Sequence, residues 1–136
     1  MTGIGCLTMA KNPVGKIEFE KTSFHFGTFE KRIVRTCVFV FKNTGSAPVV
    51  INQVNTTCNC TSVRFAQTPI LPNKKGYITV LYDGKYYNKG HFRKSIDVWS
   101  NAENGMVRLF ISGTTNLALL LNHFFQKTFK NDDSKN

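Results

Sequence analysis

The stretch that decides the fold is residues 33–55, IVRTCVFVFKNTGSAPVVINQVN. Its first part, IVRTCVFVFKN (33–43), is apolar on both faces near its middle, which is typical of a central strand of a sheet. The segment NTGSAP (43–48) interrupts this pattern with Gly, Pro and polar side chains that bond to nearby backbone. A second strand pattern follows in VVINQVN (49–55). These residues therefore indicate two strands joined by a turn, and a protein built on β-sheets.

The same rhythm continues on both sides of this stretch, with short apolar runs between turn residues at intervals of about ten residues. Further strands are predicted at residues 16–20, 23–29, 61–66, 77–83, 94–100 and 106–112. Phe24 and Phe26 are expected on one face of their strand. Because no helix-length amphipathic pattern separates the strands, antiparallel hairpins and Greek-key connections are favoured over βαβ units. The sequence predicts an all-β sandwich or barrel of seven to eight strands.

The composition changes after Gly113. Residues 116–129, NLALLLNHFFQKTF, place Leu and Phe at helical spacing, and Asn116 is a candidate N-cap. We expect an amphipathic helical segment and a polar tail over residues 116–136, after a sandwich domain over residues 16–115. Three destinations for its apolar stripe stay open: the sandwich, a membrane or partner surface, or no ordered structure.

The charge of the chain does not by itself point to nucleic acid. Its 18 Lys and Arg against 8 Asp and Glu give a net charge of +10. The basic residues are scattered, in isolated pairs such as Lys31–Arg32, Lys74–Lys75 and Arg93–Lys94, without a nucleic-acid-binding motif beside them. No run approaches the ~20 apolar residues of a membrane span. We expect a solvated cationic surface and no binding of nucleic acid.

The N-terminal residues suggest export. In GIGC, residues 3–6, the small Gly5 precedes Cys6, as at the end of a bacterial lipoprotein signal. On this interpretation residues 1–15 are a signal remnant or tether, Cys6 is the lipidation candidate, and the domain lies in the periplasm or on an envelope membrane. The alternative is a frayed N-terminus with an incidental thiol.

Cys58 and Cys60 form a Cys-x-Cys motif, the clearest candidate in the chain for a site with metal-binding or redox chemistry. Two sulfurs two residues apart on a strand share a face, so the pair is a low-weight candidate for a metal site, although no third ligand is apparent. A disulfide between them, or between one of them and Cys37, is a second alternative, and a readily reduced bond would support redox chemistry. Cys37 shares its face with Phe39 and Phe41 and is expected to be buried. We favour a structural role for all three cysteines.

Motifs for catalysis are lacking. There is no Gly-x-Ser-x-Gly, no recognisable Cys/His/Asn series, no paired carboxylates and no Gly-rich phosphate loop. The sequence predicts a protein that is not an enzyme and needs no cofactor.

Four stretches, FHFGTFEK, FVFKNTGSAPVVINQVNTTCNCT, ILPNKKGYITVLYD and KSIDVWSNA, resemble a bacterial family of secreted domains, the domain of unknown function family 1573. The resemblance covers residues 18–115. The shared elements fall on residues 24–27, 39–45, 48–51, 58–61, 72–76 and 100–101. Two departures are Asn59 and Asn73, which stand where the family usually has Gly. Both tolerate positive φ better than most residues, so we expect the turns to form.

This resemblance implies an immunoglobulin-like antiparallel β-sandwich, related to Hydin-type and major-sperm-protein-like domains, which are scaffolds for other proteins. It implies a non-catalytic, extracytoplasmic interaction or structural module of unknown partner. An edge strand of such a sandwich can bind a partner by accepting a strand from it. The alternative function is a small envelope metal-binding or thiol-redox protein that uses Cys58 and Cys60.

Overall fold

A computed structural model describes residues 12–117 of the chain, and these residues form eight β-strands without a helix. The strands are β1 (Ile17–Phe19), β2 (Ser23–Glu30), β3 (Arg35–Asn43), β4 (Ile51–Thr56), β5 (Thr61–Phe65), β6 (Lys75–Tyr82), β7 (Gly90–Ser100) and β8 (Met106–Asn116). Each coincides with a predicted strand, with shifts of a few residues at the ends. The all-β prediction is confirmed.

The strands form two four-stranded sheets, ordered β1-β3-β6-β5 and β2-β8-β7-β4. This is the immunoglobulin-like sandwich. Five strand pairs are antiparallel, as expected, but β2 and β8 are parallel. The reason is that β1 and β2 run in the same direction, and the chain passes from one sheet to the other between them without reversing. Strand alternation does not reveal such a change of sheet.

The core lies between the inner faces of the two sheets. Alternate residues of the four central strands fill it, because side chains two apart share a face. The completely buried apolar residues at its centre are Ile78 and Val80, Ile96 and Val98, and Leu109 and Ile111. Cys37, Phe39 and Phe41 of β3 lie in the same core, as their strand face predicts.

An irregularity in β2 changes which phenylalanines are buried. The pairing of β2 with β8 shifts register between His25 and Thr28, and Gly27 has a φ of 79°. Because of this bulge, Phe26 and Phe29 both enter the core although they are three residues apart. Phe24 contacts the Phe26 ring at a centroid distance of 5.0 Å, as expected for one face, but it stays 41% exposed at the rim.

Asn43 ties together three segments at one end of the sandwich. Its side chain is completely buried and donates two hydrogen bonds, to the carbonyls of Ala47 (2.8 Å) and Ile70 (2.9 Å). Its Oδ1 accepts from the backbone N–H groups of Gly45 (2.9 Å) and Lys16 (3.3 Å). All the hydrogen-bonding capacity of a buried amide is therefore used.

A second set of asparagine hydrogen bonds at this end joins the β7–β8 turn to β1. Together with the Asn43 bonds we call them the asparagine clamps. Asn104 exchanges two hydrogen bonds with the backbone of Ile17, donating to its carbonyl (2.9 Å) and accepting from its N–H (3.3 Å). Asn101 accepts from the N–H of Val50 (2.8 Å). These asparagines fix the ends of both sheets to each other.

The two positions where Asn replaces the usual Gly behave differently. Asn73 has a φ of 68°, and among the described residues it is the only non-glycine residue with positive φ. The β5–β6 turn thus relies on the ability of Asn to adopt a left-handed backbone conformation. The turn at Asn59 forms without positive φ at that residue.

Three predictions fall on residues without a structural description. Cys6 and most of the proposed tether precede residue 12, and the predicted C-terminal helix lies after Leu117. Asn116, the candidate N-cap, is the last residue of β8.

Candidate functional site

Cys58 and Cys60 lie in the connection between β4 and β5 and are joined to each other by a disulfide, with Cα atoms 5.1 Å apart. The turn is further held by backbone hydrogen bonds. The N–H of Thr61 donates to the Cys58 carbonyl (3.1 Å), and the N–H of Asp83 donates to the Cys60 carbonyl (2.7 Å). The disulfide turn is therefore attached to the end of β6 as well as to its own strands.

The sulfur atoms of this turn belong mainly to the core. Cys60 is 2% exposed, and the half-buried Cys58 packs against the core cluster. Cys37 is a free, buried cysteine, and burial raises the pKa of its thiol from its ordinary value of 9.0 to about 11. In the disulfide form neither Cys58 nor Cys60 offers a thiolate to a metal. Over residues 12–117, no three His, Cys, Asp or Glu side chains are grouped as a metal site would require.

Aromatic rings pack directly below the disulfide end. The rings of Tyr82 and Phe92 stack at 3.9 Å, and Phe29 meets both of them edge-on at 6.3 and 6.0 Å. The Arg35 guanidinium lies 5.1 Å from the Phe29 ring. Burial, with smaller contributions from Tyr87 and Asp83, raises the pKa of the Tyr82 hydroxyl. These rings form a rigid base under the loops at this end.

The outer face of the β2-β8-β7-β4 sheet carries a different set of side chains, which we call the Trp99 face. It comprises the outward residues of β7 and β8 and their neighbours on β2, namely Trp99, Asp97, Arg93, His91, Arg108, Phe110, Ser112, Thr114 and His25. Trp99 is the only tryptophan of the chain and is 43% exposed, so a large apolar ring is presented to solvent.

The polar side chains of the Trp99 face are held in place by contacts within the sheet. Arg108 binds both carboxylate oxygens of Asp97, at 2.6 and 3.0 Å. This guanidinium holds the pKa of the Asp97 carboxyl below its usual range. The Arg93 guanidinium lies 3.9 Å from the centre of the Phe110 ring, within the range of a cation–π contact.

Two histidines flank β8 on the same face. His25 Nδ1 lies 3.0 Å from the Ser112 hydroxyl, and His91 Nδ1 lies 2.8 Å from the Thr114 hydroxyl. The rings are therefore oriented by hydroxyl groups, and the face as a whole presents fixed aromatic and cationic groups.

Sequence reasoning did not select the Trp99 face, although a signal for it is present. In HFRKSIDVWS, residues 91–100, the buried Ile96 and Val98 alternate with Ser95, Asp97 and Trp99. Reading the outward half of that alternation would have found the exposed tryptophan. The neighbours that β8 and β2 add required the pairing of the strands.

A cleft of about 440 Å³ opens on the other sheet, near the β5–β6 connection. Its walls are formed by Phe41, Ile51, Arg64, Phe65, Ala66, Ile70, Lys75, Gly76, Tyr77 and Thr79. No carboxylate, histidine or cysteine lines it, so its walls supply no acid–base pair or thiol nucleophile.

The family model described as "Protein of unknown function (DUF1573)" matches residues 17–115, which contain seven strands and all but the last residue of β8. The chain belongs to the DUF1573 family. This confirms the resemblance carried by the Phe-Gly, Asn-Thr-Gly, Cys-x-Cys-Thr and Ser-Asn elements. A search of curated protein sequences gives no match to the chain.

Solved structures agree with the fold assignment. A protein of unknown function from Porphyromonas gingivalis W83 superposes with a TM-score of 0.64 at 14% identity, over 74% of this chain and 46% of that one. The chain thus spans about half the length of that bacterial protein. The ASH/PapD-like domain 7 of human CEP192 gives 0.64 at 14% identity, over 79% of this chain and 90% of the domain. At such identities the likeness shows the immunoglobulin-like fold alone.

Enzymes also contain domains of this shape. The secreted serine protease VesC from Vibrio cholerae matches with a TM-score of 0.57 at 10% identity, but the match covers only 23% of the protease.

Within residues 12–117 the structure has no helix that could span a membrane.

Proposed function

We propose that this DUF1573 domain is a non-catalytic protein-interaction module that acts outside the cytoplasm of a bacterium, and that the Trp99 face is its contact surface. The single observation that carries the proposal is the exposed Trp99 on a sheet face, next to the Asp97–Arg108 ion pair. Trp, Tyr and Arg provide most of the binding energy in protein interfaces, whereas charged Lys and Glu are depleted from their centres.

The β4 edge extends this surface. β4 ends its sheet, pairs only with β7 among the described strands, and has no charged residue over Ile51–Thr56. Gln53 of β4 is the register partner of Trp99. A partner segment that adds a strand to β4 would therefore bring its side chains next to the Trp99 face.

The position of residues 12–16 supports a tether at this end of the domain. Val14 and Ser46 exchange hydrogen bonds, at 3.3 and 2.8 Å, which fixes residues 12–16 at the end of the sandwich that carries the asparagine clamps. A lipid on Cys6 would therefore hold this end towards the membrane. The mature N-terminus of the natural protein tests this part of the proposal: mass spectrometry should show a diacylated or triacylated Cys6, and an unmodified Cys6 in membrane-free material would overturn it.

The interaction surface is tested by photo-crosslinking in envelope extracts. A photoreactive amino acid at position 99 should give one discrete adduct, while the same group at Tyr77, which is 56% exposed on the opposite sheet, should give none. Substituting Arg93→Ala and Phe110→Ser should abolish the adduct while leaving the melting temperature within a few degrees. Equal adducts from positions 99 and 77 would argue against a specific face.

The Cys58–Cys60 disulfide supports a second candidate, thiol–disulfide exchange in the envelope. Cys58 is half-buried whereas Cys60 is buried, so an attacking thiolate would have to approach the bond from the Cys58 side. A redox titration against glutathione tests it: a bond that stays oxidised at the reducing potential of the cytosol would exclude an exchange role.

A further inference from the structure

Two neighbouring loops form the end of the sandwich opposite the asparagine clamps. One is residues 31–34, between β2 and β3, and the other is residues 83–89, between β6 and β7. They are adjacent because Arg35, the first residue of β3, pairs with Tyr82, the last residue of β6. We call this pair of loops the loop tip.

The loop tip exposes large apolar side chains. Ile33 and Val34 are 49% and 47% exposed on the first loop, and Tyr86 is 85% exposed on the second. Within residues 12–117, about half of the surface of Ile33 and of Val34 and most of that of Tyr86 is left open to water. A cluster of this kind usually marks a surface that is covered in function.

Basic residues surround these apolar side chains. Lys31 and Arg32 precede Ile33, while Lys85 and Lys89 flank the tyrosines. Lys85 Nζ lies 5.1 Å from the centre of the Tyr86 ring. The acidic residues at this end are engaged locally: Glu30 pairs with Arg32 at 3.5 Å, and Asp83 accepts from the Lys85 N–H at 3.2 Å.

Each loop contains a turn hydrogen bond, which joins the first loop to the end of β2 and closes a turn within the second loop. The N–H of Ile33 donates to the Glu30 carbonyl (3.0 Å), and the N–H of Tyr87 donates to the Gly84 carbonyl (3.0 Å). Under them lies the stacked Tyr82–Phe92 pair. The apolar and basic groups are therefore presented together, and little ordering is needed on binding.

Aliphatic side chains, a tyrosine at the boundary and a ring of lysine and arginine are the groups that a surface needs to enter the interface of an anionic bilayer. The aliphatic groups insert among the acyl chains, tyrosine lies at the headgroup level, and the cations bind the lipid phosphates.

We propose that the loop tip docks on an anionic phospholipid surface, with Ile33, Val34 and Tyr86 inserted and the three lysines of the tip on the headgroups. Charge complementarity selects this occupant over a neutral surface. The last described strand ends at this same end of the domain, since Asn116 of β8 pairs with Glu30 of β2. This proposal is independent of the Trp99 face.

The test is co-sedimentation of the full chain with vesicles of phosphatidylcholine alone and of phosphatidylcholine mixed with phosphatidylglycerol, at low and high salt. We expect binding to the anionic vesicles only, weakened by salt. The variant Lys85→Gln/Lys89→Gln should bind about thirtyfold more weakly, which corresponds to about 2 kcal/mol for the two charges. The variant Ile33→Ser/Tyr86→Ser should bind at least about tenfold more weakly, because it removes inserted apolar groups.

Matched controls remove the same groups elsewhere. Val38→Ser/Tyr77→Ser removes two exposed apolar residues from the outer face of the β1-β3-β6-β5 sheet. Lys42→Gln/Lys74→Gln removes two positive charges. Both variants should bind vesicles like the unaltered chain. Trp99→Ala should also leave vesicle binding unchanged. Because Trp99 lies at the far end of β7, its fluorescence should not shift when vesicles are added.

Three results would overturn the proposal. One is no binding to anionic vesicles, which would favour an acidic protein as the occupant. Another is equal loss in the tip and control variants, which would indicate unspecific charge attraction. The third is binding that appears only after Leu120→Ser/Phe124→Ser, because it would mean that the chain's own C-terminal segment covers the loop tip.

Discussion

At the scale of single residues, the motif positions of this domain serve mainly to join its segments. Asn43, in the Asn-Thr-Gly element, uses all four of its hydrogen-bonding positions inside the protein. Gly45 follows because a Cβ there would lie 2.3 Å from the Val14 carbonyl oxygen. The Asn-Thr-Gly signature is therefore explained by packing and hydrogen bonding without a ligand.

Replacing Asn43 with Ala should lower the free energy of unfolding by about 2–4 kcal/mol, because it leaves buried carbonyl and N–H groups unpaired. Urea denaturation followed by circular dichroism measures this. Asn52→Ala, at an exposed position of the β4 bulge, is the matched control and should change stability by less than about 0.5 kcal/mol. Similar losses from both would show that the Asn43 network is not a major source of stability.

Cys37 should be inert in the folded protein. With its pKa at about 11, its thiol is almost entirely protonated at pH 8 and shielded by the core. Alkylation followed by peptide mass spectrometry should leave the Cys37 peptide unlabelled in buffer and label it in denaturant. Rapid labelling of the native protein would contradict the buried position.

The raised pKa of Cys37 also predicts the direction of a pH effect. Between pH 9.0 and about 11 the unfolded thiol loses its proton while the folded one keeps it, so stability falls as pH rises through this window. Comparing Cys37→Ala with the unaltered chain across that range should show a smaller alkaline loss in the variant.

At the scale of elements, the two positions where Asn replaces the family's usual Gly have different backbone conformations. Asn73 has left-handed φ, but Asn59 does not. We expect Asn73→Ala to cost about 1 kcal/mol and Asn73→Gly to be neutral or stabilising. Asn59→Ala should change stability by less than about 0.5 kcal/mol. Thermal unfolding of the three variants checks this, and an equal cost at both positions would refute the assigned backbone geometry.

At the scale of the whole molecule, stability comes from the core between the two sheets, and the disulfide makes a small local contribution. It closes a loop with a sequence separation of only 2, so in the chain-entropy model it adds about 1–2 kcal/mol. Reduction should therefore lower the melting temperature by several degrees and leave the β-sheet circular dichroism spectrum intact. Unfolding on reduction at room temperature would show that the turn is essential to the fold.

The proposed surfaces lie at different places on the sandwich. The asparagine clamps and residues 12–16 lie at one end, the loop tip and the exit of the C-terminal segment lie at the other, and the Trp99 face runs along one side. A domain tethered near residue 12 would thus project the loop tip away from its own anchor, towards a second surface.

The sequence by itself determined the strands, the buried face of β3 and the family. The reason is that the two-residue period of apolar side chains and the chemistry of turns depend only on residues that are close in sequence. The buried position of Cys37 followed from the same period. Only the tertiary structure decided the parallel pairing of β2 with β8, the entry of Phe29 into the core, the Cys58–Cys60 bond, and the contact of Arg93 with Phe110 on the Trp99 face. These depend on which strands become neighbours, and that choice rests on contacts between residues far apart in the chain, which no local period records.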